Sequence, residues 1–97
     1  MRTARLLLGR LVVNGHEVET SYADVFVVLR EGASVPGPND WEVTVRSTED
    51  LTLQPGLHAL ELEGLDGTLL SGPALLRLAD GDRILFRGDG HLTGFAE

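Results

Sequence analysis

Cysteine and lysine are both absent from this chain of 97 residues. Without cysteine there is no disulfide framework, no thiolate metal site and no cysteine nucleophile. Because all eight basic residues are arginine, there is also no lysine to form a Schiff base or to bind phosphate in a P-loop. The lack of cysteine fits the cytoplasm, and arginine without lysine is typical of GC-rich coding. We therefore expect a cytoplasmic bacterial protein.

Aromatic residues and long apolar runs are also scarce. The chain has five aromatic residues against eighteen leucines, which predicts an aliphatic core. No segment approaches the roughly 20 apolar residues of a membrane span. The N-terminal apolar stretch is interrupted by Arg10, and no small-x-small cleavage site follows it, as a signal peptide would require. We expect no membrane partner, and the length predicts a single domain over 1–97.

The charge is acidic overall and unevenly distributed. The net charge is −7, which argues against nucleic acid or an anionic membrane as a partner. Residues 1–16 carry three arginines and no acid, whereas residues 17–66 carry eleven acids and two arginines. A basic first strand beside acidic strands predicts charge pairing between neighbours. The alternative is an arginine-lined ligand site.

Glycine-containing turn signals are frequent and define the class of fold. Asn-Gly occurs at 14–15, and Asp-Gly at 66–67, 80–81 and 89–90, each next to short apolar runs. Such pairs predict two-residue hairpin turns, which need positive φ. Ser71-Gly72-Pro73 predicts a bulge or break, because proline lacks an N–H and glycine allows a bend.

Short apolar or alternating segments between these turns predict about eight strands. The predicted strands are 4–13, 16–22, 24–30, 41–47, 57–63, 68–79, 82–87 and 91–96. Leu51 and Leu53 continue a period of two, and residues 31–40 form the longest predicted loop. No segment has the length and period of a typical helix. The sequence therefore predicts an all-β fold, a small antiparallel barrel or sandwich of about seven to eight short strands with little or no helix.

The apolar pattern predicts both a core and an interface. The predicted core comprises Leu6 or Leu7, Val12, Phe26, Val28, Trp41, Val43, Val45, Leu51, Leu53, Leu60, Leu62, Leu76, Ile84 and Phe86. Strand 24–30 is apolar without alternation, as in strands covered on both faces. Leu65, Leu70, Leu75 and Leu85 are predicted on faces that a monomer would expose to water. Contiguous exposed apolar surface usually marks an interface.

The sequence contains no convincing catalytic or metal-binding pattern. His16, His58 and His91 lie on different predicted strands or turns, and no two of them have the i, i+2 spacing of neighbouring ligands on a strand; whether they converge stays open. Asp80-Gly81-Asp82 lacks the later glutamate of a calcium loop. Arg87-Gly88-Asp89 is explained as turn chemistry. No serine lies in a Gly-x-Ser-x-Gly motif. We predict no enzyme activity, no metal and no cofactor.

Two segments resemble the cyclic di-GMP-binding motifs of PilZ domains, a family of small bacterial β-barrels. That family uses Arg-x-x-x-Arg and then (Asp/Asn)-x-Ser-x-x-Gly. Here Arg2-x-x-Arg5 is one residue shorter, and Asp66-Gly-Thr-Leu-Leu-Ser71 has threonine for the serine and serine for the glycine. The resemblance implies a second-messenger nucleotide as a minor alternative and does not establish membership.

Two functional hypotheses follow. The first is a non-enzymatic binding or assembly module that contacts itself, as a homodimer or larger oligomer, or another protein. The second is a β-barrel that holds a small apolar or anionic ligand in a cavity. The candidate ligand-binding residues for the second are Trp41, His58, Arg5 and Ser71.

Overall fold

A computed structural model of the protein describes residues 2–29 and 40–95, and within them the chain forms seven β-strands. Residues 31–39 of the predicted loop lie outside the described part. The strands are β1 (Arg2–Val13), β2 (His16–Val18), β3 (Thr20–Leu29), β4 (Asp40–Ser47), β5 (Leu57–Gly64), β6 (Leu69–Asp80) and β7 (Arg83–Gly88). The described residues include no helix, and hence none long and apolar enough to cross a membrane.

Six of the strands close into an antiparallel barrel. Their order is β1-β3-β4-β7-β6-β5, and pairing of β5 with β1 completes the circle. The short strand β2 is an extra strand beside the second half of β1. This architecture confirms the prediction of an all-β antiparallel fold and identifies it as a barrel.

Strand β1 has different neighbours along its length. In its second half, Leu11 faces Val18 of β2 on one side and Leu62 of β5 on the other. In its first half, Arg2–Leu7 pairs with residues 24–29 of β3. A β-bulge between Leu8 and Arg10 separates the halves on the β5 side. The first half therefore extends beyond the end of β5.

The hairpin turns follow the sequence signals in part. Asn14 and Gly15 both have positive φ, at 50° and 85°, which confirms the predicted type I′ turn between β1 and β2. At the β6–β7 hairpin, Asp80 faces Arg83, so the two central residues are Gly81 and Asp82 rather than Asp80 and Gly81. Only Gly81 has positive φ, as in a type II′ turn.

The other two Asp-Gly pairs do not form two-residue hairpins. Between β5 and β6, the N–H of Gly67 donates to the carbonyl of Gly64, and a longer connection joins the strands. After β7, Gly90 has a φ of 115°, and Leu92 beyond it is buried in the core. The predicted strand 91–96 is reduced, within the described residues, to a single bridge between Ser71 and Thr93.

The bulge predicted at Ser71-Gly72-Pro73 is wrong. This segment pairs with β5 in unbroken register, and the irregularity of β6 lies between Leu76 and Leu78, opposite β7. The carbonyl of Pro73 accepts a hydrogen bond from the N–H of Asp89 and therefore points away from β5. The N–H and C=O of one residue in an antiparallel strand point to the same side, so the proline nitrogen also faces away from β5. The N–H that proline lacks is therefore not needed by the β5–β6 ladder.

Most of the predicted core lies inside the barrel. The buried members are Trp41, Val43, Val45, Leu60, Leu62, Ile84 and Phe86. The core prediction is wrong for Val12, which is buried but lies on the outer face between Glu17 and Glu61. Four further members, Leu6, Leu51, Leu53 and Leu76, are partly buried and pack against the core. Leu7 faces outward and is 48% exposed, so the choice between Leu6 and Leu7 falls on Leu6.

The predicted phase of strand β3 is wrong. Val25, Val27 and Leu29 are buried in the core, whereas Phe26 and Val28 are only half-buried and lie on the outer face. A run in which every residue is apolar does not indicate which face is inside; the pairing with β1 and β4 decides it. Leu70, predicted to face water, is also buried.

Candidate functional site

Trp41, the first predicted ligand-binding residue, is part of the barrel core. It is 2% exposed, and its Nε1 donates to the carbonyl of Gly90 at 2.9 Å. Its ring lies against two glycines. A Cβ added at Gly72 would lie 2.9 Å from Cζ2 of the ring, and a Cβ added at Gly88 would overlap the indole. The fully buried Leu92 follows Gly90. The indole thus fastens the C-terminal segment to the barrel.

His58, the second predicted ligand-binding residue, is held by hydrogen bonds on both ring nitrogens. Nδ1 lies 2.7 Å from Nδ2 of Asn14, and Nε2 lies 2.6 Å from the carbonyl oxygen of Gln54. Asn14 Oδ1 accepts from the N–H of Ala59, so its amide nitrogen is the donor to Nδ1. His58 is therefore neutral with its proton on Nε2, which donates to Gln54. The ring also packs edge-on against Phe86.

Arg5, the third predicted residue, belongs to a cluster on the outer face. Its guanidinium lies 5.2 Å from the ring centre of Phe26, and its Nε lies 3.4 Å from Asp24 Oδ2. The hydroxyl of Tyr22 donates to the same carboxylate oxygen, and this hydrogen bond raises the pKa of Tyr22. Asp24 is only 4% exposed although it lies on the outer face. This pair and the ion pair between Arg10 and Glu17 show the expected charge pairing between neighbouring strands.

Ser71, the fourth predicted residue, lines an open cleft of about 290 Å³ on the outer surface. Arg10, Glu61, Glu63, Leu69 and Thr93 also contribute to its lining. The cleft has two carboxylates, and its single guanidinium is already paired with Glu17. The charge of this cleft therefore does not favour an anionic ligand.

A second open cleft, of about 200 Å³, lies beside Phe26 on the outer face of β3, β4 and β7. Phe26 and Val28 form its apolar part, and Asp40, Glu42 and Arg87 its charged part. Among the described residues that line this cleft, two carboxylates accompany one guanidinium. Trp41 and His58 lie in the core, and their polar atoms belong to different hydrogen-bond networks. Arg5 and Ser71 lie on two different outer surfaces. The four predicted residues therefore do not form one site.

The three histidines have separate surroundings. His16 pairs with Glu49 on the surface at 2.6 Å, His58 lies inside the barrel, and His91 is exposed. Within residues 2–29 and 40–95, no group of three or more histidine, cysteine or acidic side chains is arranged to hold a metal ion.

A cluster of leucines on the outer face is the surface feature that stands out. Leu57 of β5 faces Leu75 of β6, and Leu78 of β6 faces Leu85 of β7. We call these four residues the leucine patch. Leu57 and Leu78 are 59% and 39% exposed, and Leu75 and Leu85 are half-buried. Paired residues on one sheet face lie about 5 Å apart. Leu75 faces Arg87, so Leu75 and Leu85 are diagonal neighbours about 7–8 Å apart, and they join the two pairs.

Half of the leucine patch could be predicted from the sequence. Leu75 and Leu85 were expected on a water-facing side, as was Leu65, which is 70% exposed. Leu57 and Leu78 were missed because their membership depends on strand register, and the bulge between Leu76 and Leu78 changes the phase of β6. Asp24 was also missed, since nothing in its sequence neighbourhood indicates a buried carboxylate.

Comparison with known proteins finds no family model, no curated protein and no solved structure that matches this chain.

Proposed function

We propose that this protein is a non-enzymatic assembly module that self-associates through the leucine patch. The observation that carries the proposal is the cross-strand pairing of Leu57 with Leu75 and of Leu78 with Leu85 on the outer face of three adjacent strands. Exposed contiguous apolar surface of this kind usually marks a protein interface. Burying it against another apolar surface removes it from water, which is favourable.

The charges around the leucine patch support a second copy of the chain as the partner. Along β7, Arg83 and Arg87 flank Leu85. Arg83 faces Asp80 on one side and Arg46 on the other, and Arg87 faces Leu75 and Glu42. Each end of the patch therefore carries both signs of charge. A twofold-related copy brings the same surface to both sides of the interface, and acids are then available opposite bases.

The cavity-ligand alternative receives less support. Trp41 and His58 were its expected lining, and their polar atoms bond to Gly90, Asn14 and Gln54. The two clefts described above are open on the outside of the barrel, and the described residues that line them include more acids than bases. Ligand binding inside the barrel stays a prediction that the packing of these two residues does not favour.

Sedimentation velocity over a range of micromolar concentrations tests the assembly proposal. We expect a dimer that dissociates on dilution, and a Leu57→Glu/Leu78→Glu double variant that stays monomeric with an unchanged circular dichroism spectrum. The control is Leu69→Glu, because Leu69 is a more exposed leucine on the same strand as Leu78 but outside the patch. A monomeric wild-type protein, or a Leu69→Glu variant that dissociates equally, contradicts the proposal.

A further inference from the structure

The first half of β1 has an edge that no described strand pairs with. Residues 2–7 pair with β3 on one side. On the other side, the pairing with β5 ends at Leu8 and Gly64, and one further hydrogen bond joins the N–H of Leu65 to the carbonyl of Leu7. Within residues 2–29 and 40–95, the segment Thr3–Leu6 has no partner strand on this side. We call Thr3–Leu6 the β1 edge, and Leu7 borders it.

The direction of the backbone groups along the β1 edge follows from the bond at Leu7. In an antiparallel strand, the N–H and C=O of one residue point to the same side, and successive residues alternate. Because the carbonyl of Leu7 points toward Leu65, the N–H and C=O of Arg5 and Thr3 also point to the open side. The corresponding groups of Ala4 and Leu6 point toward β3. The β1 edge thus offers two complete residues for pairing with an added strand.

The side chains along the β1 edge are basic and apolar. Arg5 and Leu7 face outward, and the arginine side chain stays 61% exposed although it contacts Asp24. Leu65, which adjoins Leu7, is 70% exposed. The residue that follows Leu65 is an acid, Asp66, and its carboxylate accepts a hydrogen bond from the N–H of Thr68. Residues 1–16 contain three arginines and no acid.

We propose that the β1 edge binds an extended acidic segment of another protein by strand addition. Main-chain hydrogen bonds supply affinity in this mode, and alternate side chains supply specificity. An acid directly opposite Arg5 is favourable, whereas like charges directly opposite each other are destabilising. A second copy paired antiparallel about Arg5 would place two arginines opposite each other, so the charge favours a foreign segment. This surface shares no residue with the leucine patch.

The register predicts the pattern of the bound segment. Leu65 already lies opposite Leu7 and bonds to its carbonyl, so the bound segment begins opposite Leu6. The residue opposite Arg5 faces outward and is acidic, and the residue opposite Thr3 faces outward and is polar. The residues opposite Leu6 and Ala4 face the barrel side and are apolar. The probe is therefore the capped peptide Val-Glu-Val-Thr, and the control peptide replaces its glutamate with lysine.

Amide hydrogen exchange and a peptide titration followed by NMR test the proposal. In the free protein we expect the amides of Thr3 and Arg5 to exchange faster than those of Ala4 and Leu6, which face β3. The glutamate peptide should slow exchange at Thr3 and Arg5, and the lysine peptide should bind several-fold more weakly. Equal binding of both peptides, or no slowing at Thr3 and Arg5, overturns the proposal. Slowing that grows with protein concentration alone assigns the edge to a second copy and also overturns it.

Two variants separate the backbone from the charge. Thr3→Pro removes an N–H from the β1 edge without removing one from the β1–β3 ladder, so binding should be lost while the remaining β1–β3 amides stay protected. Arg5→Gln should weaken binding about twofold to fivefold, and the control Arg77→Gln, at an exposed arginine of β6, should not change it. Unchanged binding by Arg5→Gln contradicts the proposal even if Thr3→Pro does not fold.

Discussion

The indole of Trp41 lies directly against the backbone of Gly88, so closely that a Cβ at position 88 would overlap the ring. Trp41 is at the start of β4 and Gly88 is the last residue of β7. The same indole donates a hydrogen bond to the carbonyl of Gly90, which fixes the chain just beyond Gly88. The absence of a side chain at Gly88 therefore makes room for the largest residue of the core.

Gly88→Ala should destabilise the protein. Overpacking a filled core costs about 1–3 kcal/mol, and the atoms that an added methyl group would meet belong to a buried ring. The control is Gly9→Ala, where the nearest atom is Cδ2 of the exposed Leu65 at 3.1 Å, a side chain that can move into solvent. Neither glycine has positive φ. Urea unfolding measures both, and equal stability of the two variants would show that Trp41 does not constrain Gly88.

The single tryptophan provides an intrinsic probe of the barrel. Because Trp41 is 2% exposed, we expect blue-shifted emission that acrylamide quenches poorly in the native state. Unfolding in urea should shift the emission to the red and increase quenching, in step with loss of the β-sheet signal in circular dichroism. Strong quenching before the unfolding transition would contradict the buried position.

The variant Asn14→Gly tests whether Asn14 stabilises the protein through its backbone conformation in the turn or through its side-chain hydrogen bonds. Asn14 has a φ of 50°, a conformation that glycine adopts readily, so the backbone alone predicts little change or a slight gain in stability. The side chain, however, bonds to His58 and Ala59. Leaving a buried polar group unpaired costs about 1–3 kcal/mol, and we expect a net loss of stability in urea unfolding.

The ring of His58 gives a second readout of the same network. In the wild-type protein, nitrogen NMR should show Nδ1 as the unprotonated acceptor and Nε2 as the protonated donor. Asn14→Gly should weaken this preference, because it removes the donor to Nδ1. A stable Asn14→Gly variant with an unchanged His58 tautomer would contradict the assigned network.

The carboxylate of Glu49 should make stability depend on pH. A hydrogen bond from the N–H of Glu19 and then one from His16 lower its pKa below the ordinary value of 4.5. A lowered folded-state pKa contributes stability above the unfolded value, and that contribution is lost as the pH falls through the folded value. Glu49→Gln should therefore be less stable than wild type at pH 7.

The difference between Glu49→Gln and wild type should shrink as the pH falls below 4.5. Urea unfolding at a series of pH values measures it, with Glu42→Gln, the same change at an exposed glutamate of β4, as the control. A constant difference between wild type and Glu49→Gln across this range would contradict the assigned role of the carboxylate.

Much of the secondary structure could be predicted because its causes are local. Asn14-Gly15 forms the predicted turn since both residues accept positive φ. Strand β4 alternates Trp41, Val43 and Val45 with polar residues, and these three are buried. Alternation specifies which face is inside, so the pattern alone was sufficient there.

Predictions that depended on pairing were less successful. The apolar run of β3 carries no alternation, and its contacts with β1 and β4 place Phe26 outside and Val25 inside. The segment around Pro73 was predicted to bulge. Its carbonyl faces away from β5, as would an N–H at this position, so the β5–β6 ladder loses no hydrogen bond there. Neither outcome follows from the residues themselves.

The sequence by itself determined the class of fold, the type I′ turn and most of the core, because φ preference and alternation act over a few residues. Only the tertiary structure decided the candidate surfaces. The leucine patch depends on the bulge in β6 and on the register of three strands, and the β1 edge depends on where β5 ends. Both are properties of strand pairing, which joins residues distant in sequence.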